Sequence, residues 1–380
     1  MRWAVAVAMV MSGVGFVLPS ASSAAPSAVV APSDATLACA RSVVAAWSVE
    51  ALSHEVVVVT TASTSTAIMR EAAREGFGGV LLLGTVVPSD LVTTLHSLPS
   101  LSPGHRPVSV LTDDEGGGVV RIPALSGRWP WAQVMGATMT TAAITALATS
   151  VARRLVAAGI TFDLAPVADV DGRAQYPGPA NPDGFRSFSG QSAIAGADAT
   201  AFALGLQAGG EGATLKHFPG LGGSTGNTDS GRAFTKPWSV LQRGDLLPFR
   251  LGVHAGVASV MMSNAIVPGL TTVPASLSAS AVNALRALGF RGLIVTDALG
   301  AGAISASGFT PATAAVRAIA VGDDQVLGGQ PSSPQQGLRT AQSMVAALVS
   351  AVKKHQLPLS RLRDATAHVV ASQNLRCQNG

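Results

Sequence analysis

Five stretches of the chain place polar side chains where apolar runs end. Asp113 closes "PVSVLTD", Asp169 closes "ITFDLAPVAD", Lys216 and His217 close "ATLKH", Asn264 closes "ASVMMSN" and Asp297 closes "GLIVTD". A carboxylate in such a place can attack an electrophile or carry a proton. A lysine and a histidine can donate to a polar ligand, and a second carboxylate can accept from it. Scattered charges on solvated loops would account for any one of these residues. They do not account for the recurrence on run after run. The run at 213–220 also opens a glycine-rich loop, "GLGGSTGNTDSGRA", that presents Asp229 and, two positions on, Gly231.

The apolar runs occupy 54–61, 78–84, 107–117, 160–170, 213–220, 258–267, 292–300 and 323–329. They are continuous rather than alternating, as strands covered on both faces are. Between them lie helical patterns such as "STAIMREAAREG", "AAITALATSVARRLVAAG", "AIAGADATAFALGLQAGG" and "SASAVNALRALGF", several ending at a glycine that suits a C-cap. Eight strands with intervening helices predict a single (β/α)8 TIM-type barrel, in which the strand C-termini converge on one mouth. A doubly wound open sheet is the rival. It lacks a GxGxxG opening a helix after the first strand, and "EGGGVVRI" does not have that spacing.

With 48% hydrophobic and 12% charged residues, 41 Gly and 22 Pro, the 380-residue chain reads as a packed globular protein with many tight connections. The first 24 residues carry Arg2, an apolar run to about Leu18 and small residues to Ala24, the layout of a cleavable secretory signal. A retained anchor is the rival, but the run is short for a bilayer. The expected organisation is a signal peptide over 1–24, a linker over 25–38 and a barrel over 39–380. It implies a secreted or cell-wall-associated protein with no stable membrane insertion. Loss of Arg2 lowers the formal net charge from +4 to +3, a mild surplus that favours an anionic surface such as a cell wall. No basic run is interleaved with aromatics, so nucleic acid is not an expected partner. Cys39 and Cys377 stand near the two ends of the mature chain. A disulfide between them and two separate buried thiols are both open, while two cysteines alone make no structural zinc site.

Five motifs in order resemble the N-terminal barrel domain of family 3 glycoside hydrolases, across nearly all of the mature chain. "DDEGGGVVRIP" resembles the family's "DQEGGxVxRL", "DLAPVADV" its "NxAPVxDV", "FRSFS" its "xRSFG" and "LKHFPGLG" its "KHFPGHG". The stretch "PASLSASAVNALRALGFRGLIVTDALGAGAI" resembles that around the family's nucleophile. The likeness is greatest to the single-domain β-N-acetylhexosaminidases of cell-wall turnover. It implies a retaining β-glycosidase without a cofactor, acting on a cell-wall glycan, with Asp297 as nucleophile. Asp113, Arg186, Lys216 and His217 would hold the sugar in the first subsite. Two other readings remain at this stage: Asp297 as a buried partner of Lys216, and Arg186 as an ion-paired loop anchor. Asp169 is expected to tether loop amides and Glu115 to organise its glycine turn. His54, His105, His254, His355 and His368 are expected to be surface or packing residues.

The chain departs from the family in the 214–233 stretch. Single-domain members carry an Asp-x-His pair on this loop whose histidine is the acid and base; here the triplet is Asp229-Ser230-Gly231, and Leu221 replaces the histidine of "FPGHG". Loss of a general acid costs about 10²–10⁴ in rate. Three readings stay open: Asp229 acts as the acid itself, another group replaces it, or the protein is a slow enzyme or glycan-binding relative. Phosphorolysis is a further class, without a residue that argues for it.

Overall fold

The computed structural model describes residues 29–373. The signal segment and Cys377 lie outside them. Eight strands follow in chain order: β1 Val57–Thr61, β2 Gly79–Leu82, β3 Ser109–Thr112, β4 Phe162–Asp163, β5 Gly212–Phe218, β6 Ser259–Met262, β7 Leu293–Thr296 and β8 Val326–Leu327. Every pairing is parallel, in the order β7-β6-β5-β4-β3-β2-β1-β8. The ring closes through a parallel bridge between Val295 and Gln325, beside the hydrogen bond from Thr296 N to Gln325 O at 3.0 Å. This is the expected (β/α)8 barrel, and each of the eight apolar runs supplies one strand.

The continuous apolar character has a direct cause. Val57 and Val59 of β1 pack outward with the helices, while Val58 joins Leu81, Leu111, Phe162, Met261, Val295 and Leu327 inside the barrel. Side chains alternate across a strand, but here both faces meet apolar neighbours, so no polar residue marks the alternation. β4 is shorter than its run because Pro166 follows closely and has no N–H for the ladder. Parallel pairing resumes at Val167 with Lys216.

Helices cover the outside. Thr66–Glu75 ends at Gly76, whose φ of 87° is a left-handed cap that a side chain would disfavour. Residues 29–38, expected as part of a linker, are built into the fold. Val29 is buried among the side chains inside the barrel, and the helix Asp34–Val44 starts at a Ser33 cap. Cys39, on that helix, is not a free thiol. Among the described residues no helix is long and apolar enough to cross a membrane.

Candidate active site

The C-terminal strand ends open into a cavity of about 300 Å³, lined by Asp113, Glu115, Arg121, Arg186, Lys216, His217, Asp229 and Asp297 among others. All six residues singled out from the sequence as site residues reach it. Consecutive strand residues normally face opposite sides, yet Lys216 and His217 both line the cavity. They fall where the β5–β6 register shifts between Leu215 and Phe218, an irregularity of the kind that re-aims side chains at sites.

Beyond β3, Asp113 and Glu115 are two apart and share the cavity side, while Asp114 between them takes the hydrogen bond of Arg121 N at 2.5 Å. Lys216 Nζ bridges the pair, 2.5 Å from Asp113 Oδ1 and 2.6 Å from Glu115 Oε1. Arg186 grips Glu115 with two nitrogens, at 2.7 and 2.8 Å, and donates to Pro182 O at 2.8 Å. Arg121 Nη2 completes the cluster, 3.0 Å from Asp113 Oδ2. Burial alone would raise both carboxyls. The Lys216 and Arg121 charges at Asp113, and the Arg186 and Lys216 charges at Glu115, outweigh it and hold each below its ordinary range. Burial likewise works against the Lys216 cation, but Asp113 and Glu115 more than offset it and raise its pKa. The cluster is therefore a fixed set of charges, three cations and two anions, whose remaining donor and acceptor capacity suits sugar hydroxyls.

Glu115 thus does more than its expected task. Its backbone N–H does shape the turn, donating to Val119 O at 2.8 Å, but its side chain belongs to the ion cluster. Arg121 also belongs to the site, although in "DDEGGGVVRIP" it does not stand at the end of an apolar run. The turn at Gly116–Val119, closed by a bridge between those residues, folds it back over Asp113.

His217 is held from behind. Its Nδ1 lies 2.7 Å from Asp169 Oδ2, and Asp169 also accepts from the backbone N–H of His217 and of Leu221, the latter at 2.6 Å. Asp169 therefore tethers loop amides, as its position suggested, and orients the ring as well. Burial, with the Arg186 charge, pushes the His217 pKa down to about 4. The neutral ring directs Nδ1–H at Asp169, a tautomer assigned from this network, and leaves Nε2 as an acceptor. Burial raises Asp169 to about 6, against the pull of the Leu221 and His217 amides. Asp183 is buried behind it and, through burial and the Asp169 charge, pushed well above the ordinary carboxyl range. Asp169, Asp183 and His217 are close enough to share an ion, the one such group among the described residues. The Asp169 oxygens, however, are already taken by His217 and Leu221, so the group fits a hydrogen-bonded cluster better than a metal site.

Asp297 follows β7. Its N–H donates to Met262 O at 3.0 Å, and its Oδ1 accepts from Ala298 N at 2.6 Å. Among the described residues its carboxylate has no ion pair; Lys216 goes to Asp113 and Glu115 instead, which sets aside the reading of Asp297 as its partner. Burial raises its pKa, with Asp229 adding to the shift and His217 opposing it. Asn264, the remaining strand-end residue, supports this segment. Its Nδ2 donates to Ala298 O at 2.8 Å, and its Oδ1 accepts from Ser276 at 2.6 Å.

Asp229 is exposed on the glycine-rich loop at the cavity wall. Asn227 shapes its turn by accepting from Asp229 N at 2.9 Å, and Asn227 N donates to Pro179 O at 2.8 Å on the facing loop. Gly302 N and Ala303 N hold the carbonyls of Asp229 and Thr228, each at 2.9 Å. A Cβ on Gly302 would stand 2.6 Å from Ser230 C, so glycine is needed for this docking. At Gly231 a Cβ would meet nothing within 4 Å. None of the five histidines set aside from the sequence lines the cavity; His368 is buried elsewhere, with Nδ1 2.9 Å from Asp364 O.

A family model described as "Glycosyl hydrolase family 3 N terminal domain" matches residues 49–372. Over 236 residues the chain is 37% identical to the β-hexosaminidase LpqI of Mycobacterium tuberculosis, covering 59% of this chain and 59% of that protein. It thus spans about three fifths of that relative's length. Its fold matches a family 3 glycosyl hydrolase from Mycobacterium smegmatis with a TM-score of 0.78 at 28% identity, over 87% of this chain and 98% of that one. A β-N-acetylhexosaminidase from Beutenbergia cavernae gives a TM-score of 0.74 at 30% identity, over 86% and 98%.

Proposed function

The chain belongs to glycosyl hydrolase family 3, and on that premise we propose that it is a secreted, retaining β-glycosidase acting on β-N-acetylglucosaminides of cell-wall glycans. The observation that carries this reading is the division of labour in the cavity. Five charged groups pair with one another in a fixed cluster, while Asp297 presents a half-buried carboxylate without an ion pair among the described residues; the other unpaired carboxylate of the lining, Asp229, is exposed on its loop. A cavity of about 300 Å³ is at the small end of ligand sites and suits one sugar ring.

In the first step an Asp297 oxygen forms a bond to the anomeric carbon as the glycosidic C–O bond breaks, and the leaving oxygen takes a proton. In the second step water attacks the same carbon, releases Asp297 and gives up a proton, with net retention. In this reading Asp229, on the cavity wall, carries that proton in both directions. Asp113, Lys216, Arg186 and His217 hold the ring in the attack geometry. The N-terminal layout around Arg2 and Ala24 supports export, and the positive surplus supports an anionic wall as the setting.

A second reading, binding with little or no turnover, draws on the glycine at 231 and the exposure of Asp229. Two β-N-acetylglucosaminides separate the readings, one with an activated aryl leaving group and one with a natural sugar, each tried on wild type and Asp297→Ala. Turnover of the aryl substrate that disappears in the variant supports the glycosidase. Sugar binding without turnover of either substrate establishes the binding protein.

A further inference from the structure

Three aromatic rings from two separate loops form a compact group that borders the cavity. The Tyr176 ring meets Phe185 edge-on at 5.2 Å and Trp131 at 6.0 Å, and Trp131 and Phe185 lie 6.1 Å apart. Trp131 is seated firmly: a Cβ on Gly117 would stand 2.0 Å from its Cδ2, and one on Gly118 2.7 Å from its Cζ2. Phe185 is tied to the loop base through its N–H to Gln175 O at 2.9 Å. Tyr176, held by both neighbours, remains 73% exposed. An aromatic ring braced in this way and left open to water is a prepared apolar surface with a polar tip.

Its location says what the surface is for. The next three residues, Pro177, Gly178 and Pro179, line the cavity, and Pro179 O receives Asn227 N from the loop that carries Asp229. Tyr176 therefore stands one residue outside the cavity wall, on the loop that meets the proposed proton carrier. A cavity that suits one ring leaves any further sugar of the substrate outside it, and Tyr176 borders the cavity there.

Resting on the glycosidase reading, we infer that Tyr176, braced by Phe185 and Trp131, forms a second subsite that stacks the apolar C–H face of the leaving-group sugar. The substrate class is then a β-linked di- or oligosaccharide rather than a simple glycoside. Pairs of aromatic rings gain about 0.5–1.5 kcal/mol from their contact, and the same scale for a sugar face on Tyr176 is a factor of about two to ten in affinity.

Tyr176 is the only tyrosine in the chain, so incorporation of 3-fluorotyrosine gives one fluorine resonance that reports on this ring alone. In an Asp297→Asn background, which keeps the substrate intact, N,N′-diacetylchitobiose and N-acetylglucosamine are titrated by fluorine NMR and calorimetry. The disaccharide is expected to shift the resonance saturably, at the concentrations where calorimetry shows binding, and the monosaccharide to bind without shifting it. Tyr176→Ala is expected to cut the preference for disaccharide over monosaccharide by about two- to tenfold, and Tyr176→Phe to restore it. A disaccharide that binds without moving the resonance overturns the second subsite and leaves the glycosidase reading standing. So does a monosaccharide that moves it equally. If neither sugar binds, the glycosidase reading falls and the subsite falls with it.

Discussion

His217 Nδ1 lies 2.7 Å from Asp169 Oδ2, and the same carboxylate takes the backbone N–H groups of His217 and Leu221. One buried side chain thus fixes a ring that lines the cavity and the start of the loop that bears Asp229. Asp169→Ala leaves three buried donors unpaired, and at about 1 kcal/mol or more for each lost partner the expected loss is about 3–5 kcal/mol. Urea unfolding measures it.

The same pair has a pH signature. His217, with its folded pKa lowered to about 4 from 6.5, contributes stability that is present above pH 6.5 and is lost as pH falls toward 4. Asp169 acts in the opposite sense. Raised to about 6 from 3.8, it contributes stability present below pH 3.8 and lost as pH rises through 6. Between pH 7 and pH 4 the two partly cancel. His217→Gln removes the first contribution, so its stability relative to wild type should improve by about 3 kcal/mol as pH falls across that range. Unfolding midpoints taken at a series of pH values give the comparison.

Glu115 carries the charge balance of the cluster. Glu115→Ala leaves Arg186 and Lys216 short of a partner in a buried setting, and the expected cost is about 3–5 kcal/mol. The loss should exceed that of Arg41→Ala, whose pair with Asp364 is exposed and is worth about 1 kcal/mol or less. Chemical denaturation of both variants tests the contrast.

Much of this site was legible from the chain, and the remainder has identifiable physical causes. Asp113, Lys216, His217 and Asp297 could be located because uninterrupted apolar runs end at them, and the runs are uninterrupted because Val57 and Val58 each find apolar neighbours on opposite faces of β1. Arg121 carries no such signal, because a tight turn rather than a strand end brings it back over Asp113. Glu115 had a usable signal, since it lies two residues from Asp113 and so on the same side. Asn264 sits at a strand end like the others, but its partner Ala298 is 34 residues away, and only the folded chain reveals its supporting task. The meeting of Trp131, Tyr176 and Phe185 likewise depends on packing between separate loops.

Gly231 offers a gain-of-function test. A Cβ there meets nothing within 4 Å, so Gly231→His should fold as wild type. An imidazole two residues from Asp229 titrates nearer to neutral pH than a carboxyl does and is therefore the better-matched general acid at this loop. Turnover of a natural β-N-acetylglucosaminide should rise about 10²-fold or more. An activated aryl glycoside, which needs little protonation on departure, should change by less than about threefold. Steady-state kinetics on the two substrates provide the readout.

The central claim, that Asp297 is the nucleophile, is tested most directly by catching the covalent intermediate. The protein would be quenched in acid during turnover of an activated aryl β-N-acetylglucosaminide, digested and mapped by mass spectrometry. The account predicts one added sugar on the peptide that contains Asp297 and none in Asp297→Ala. A sugar on a different carboxylate would contradict it, as would turnover that persists in the variant.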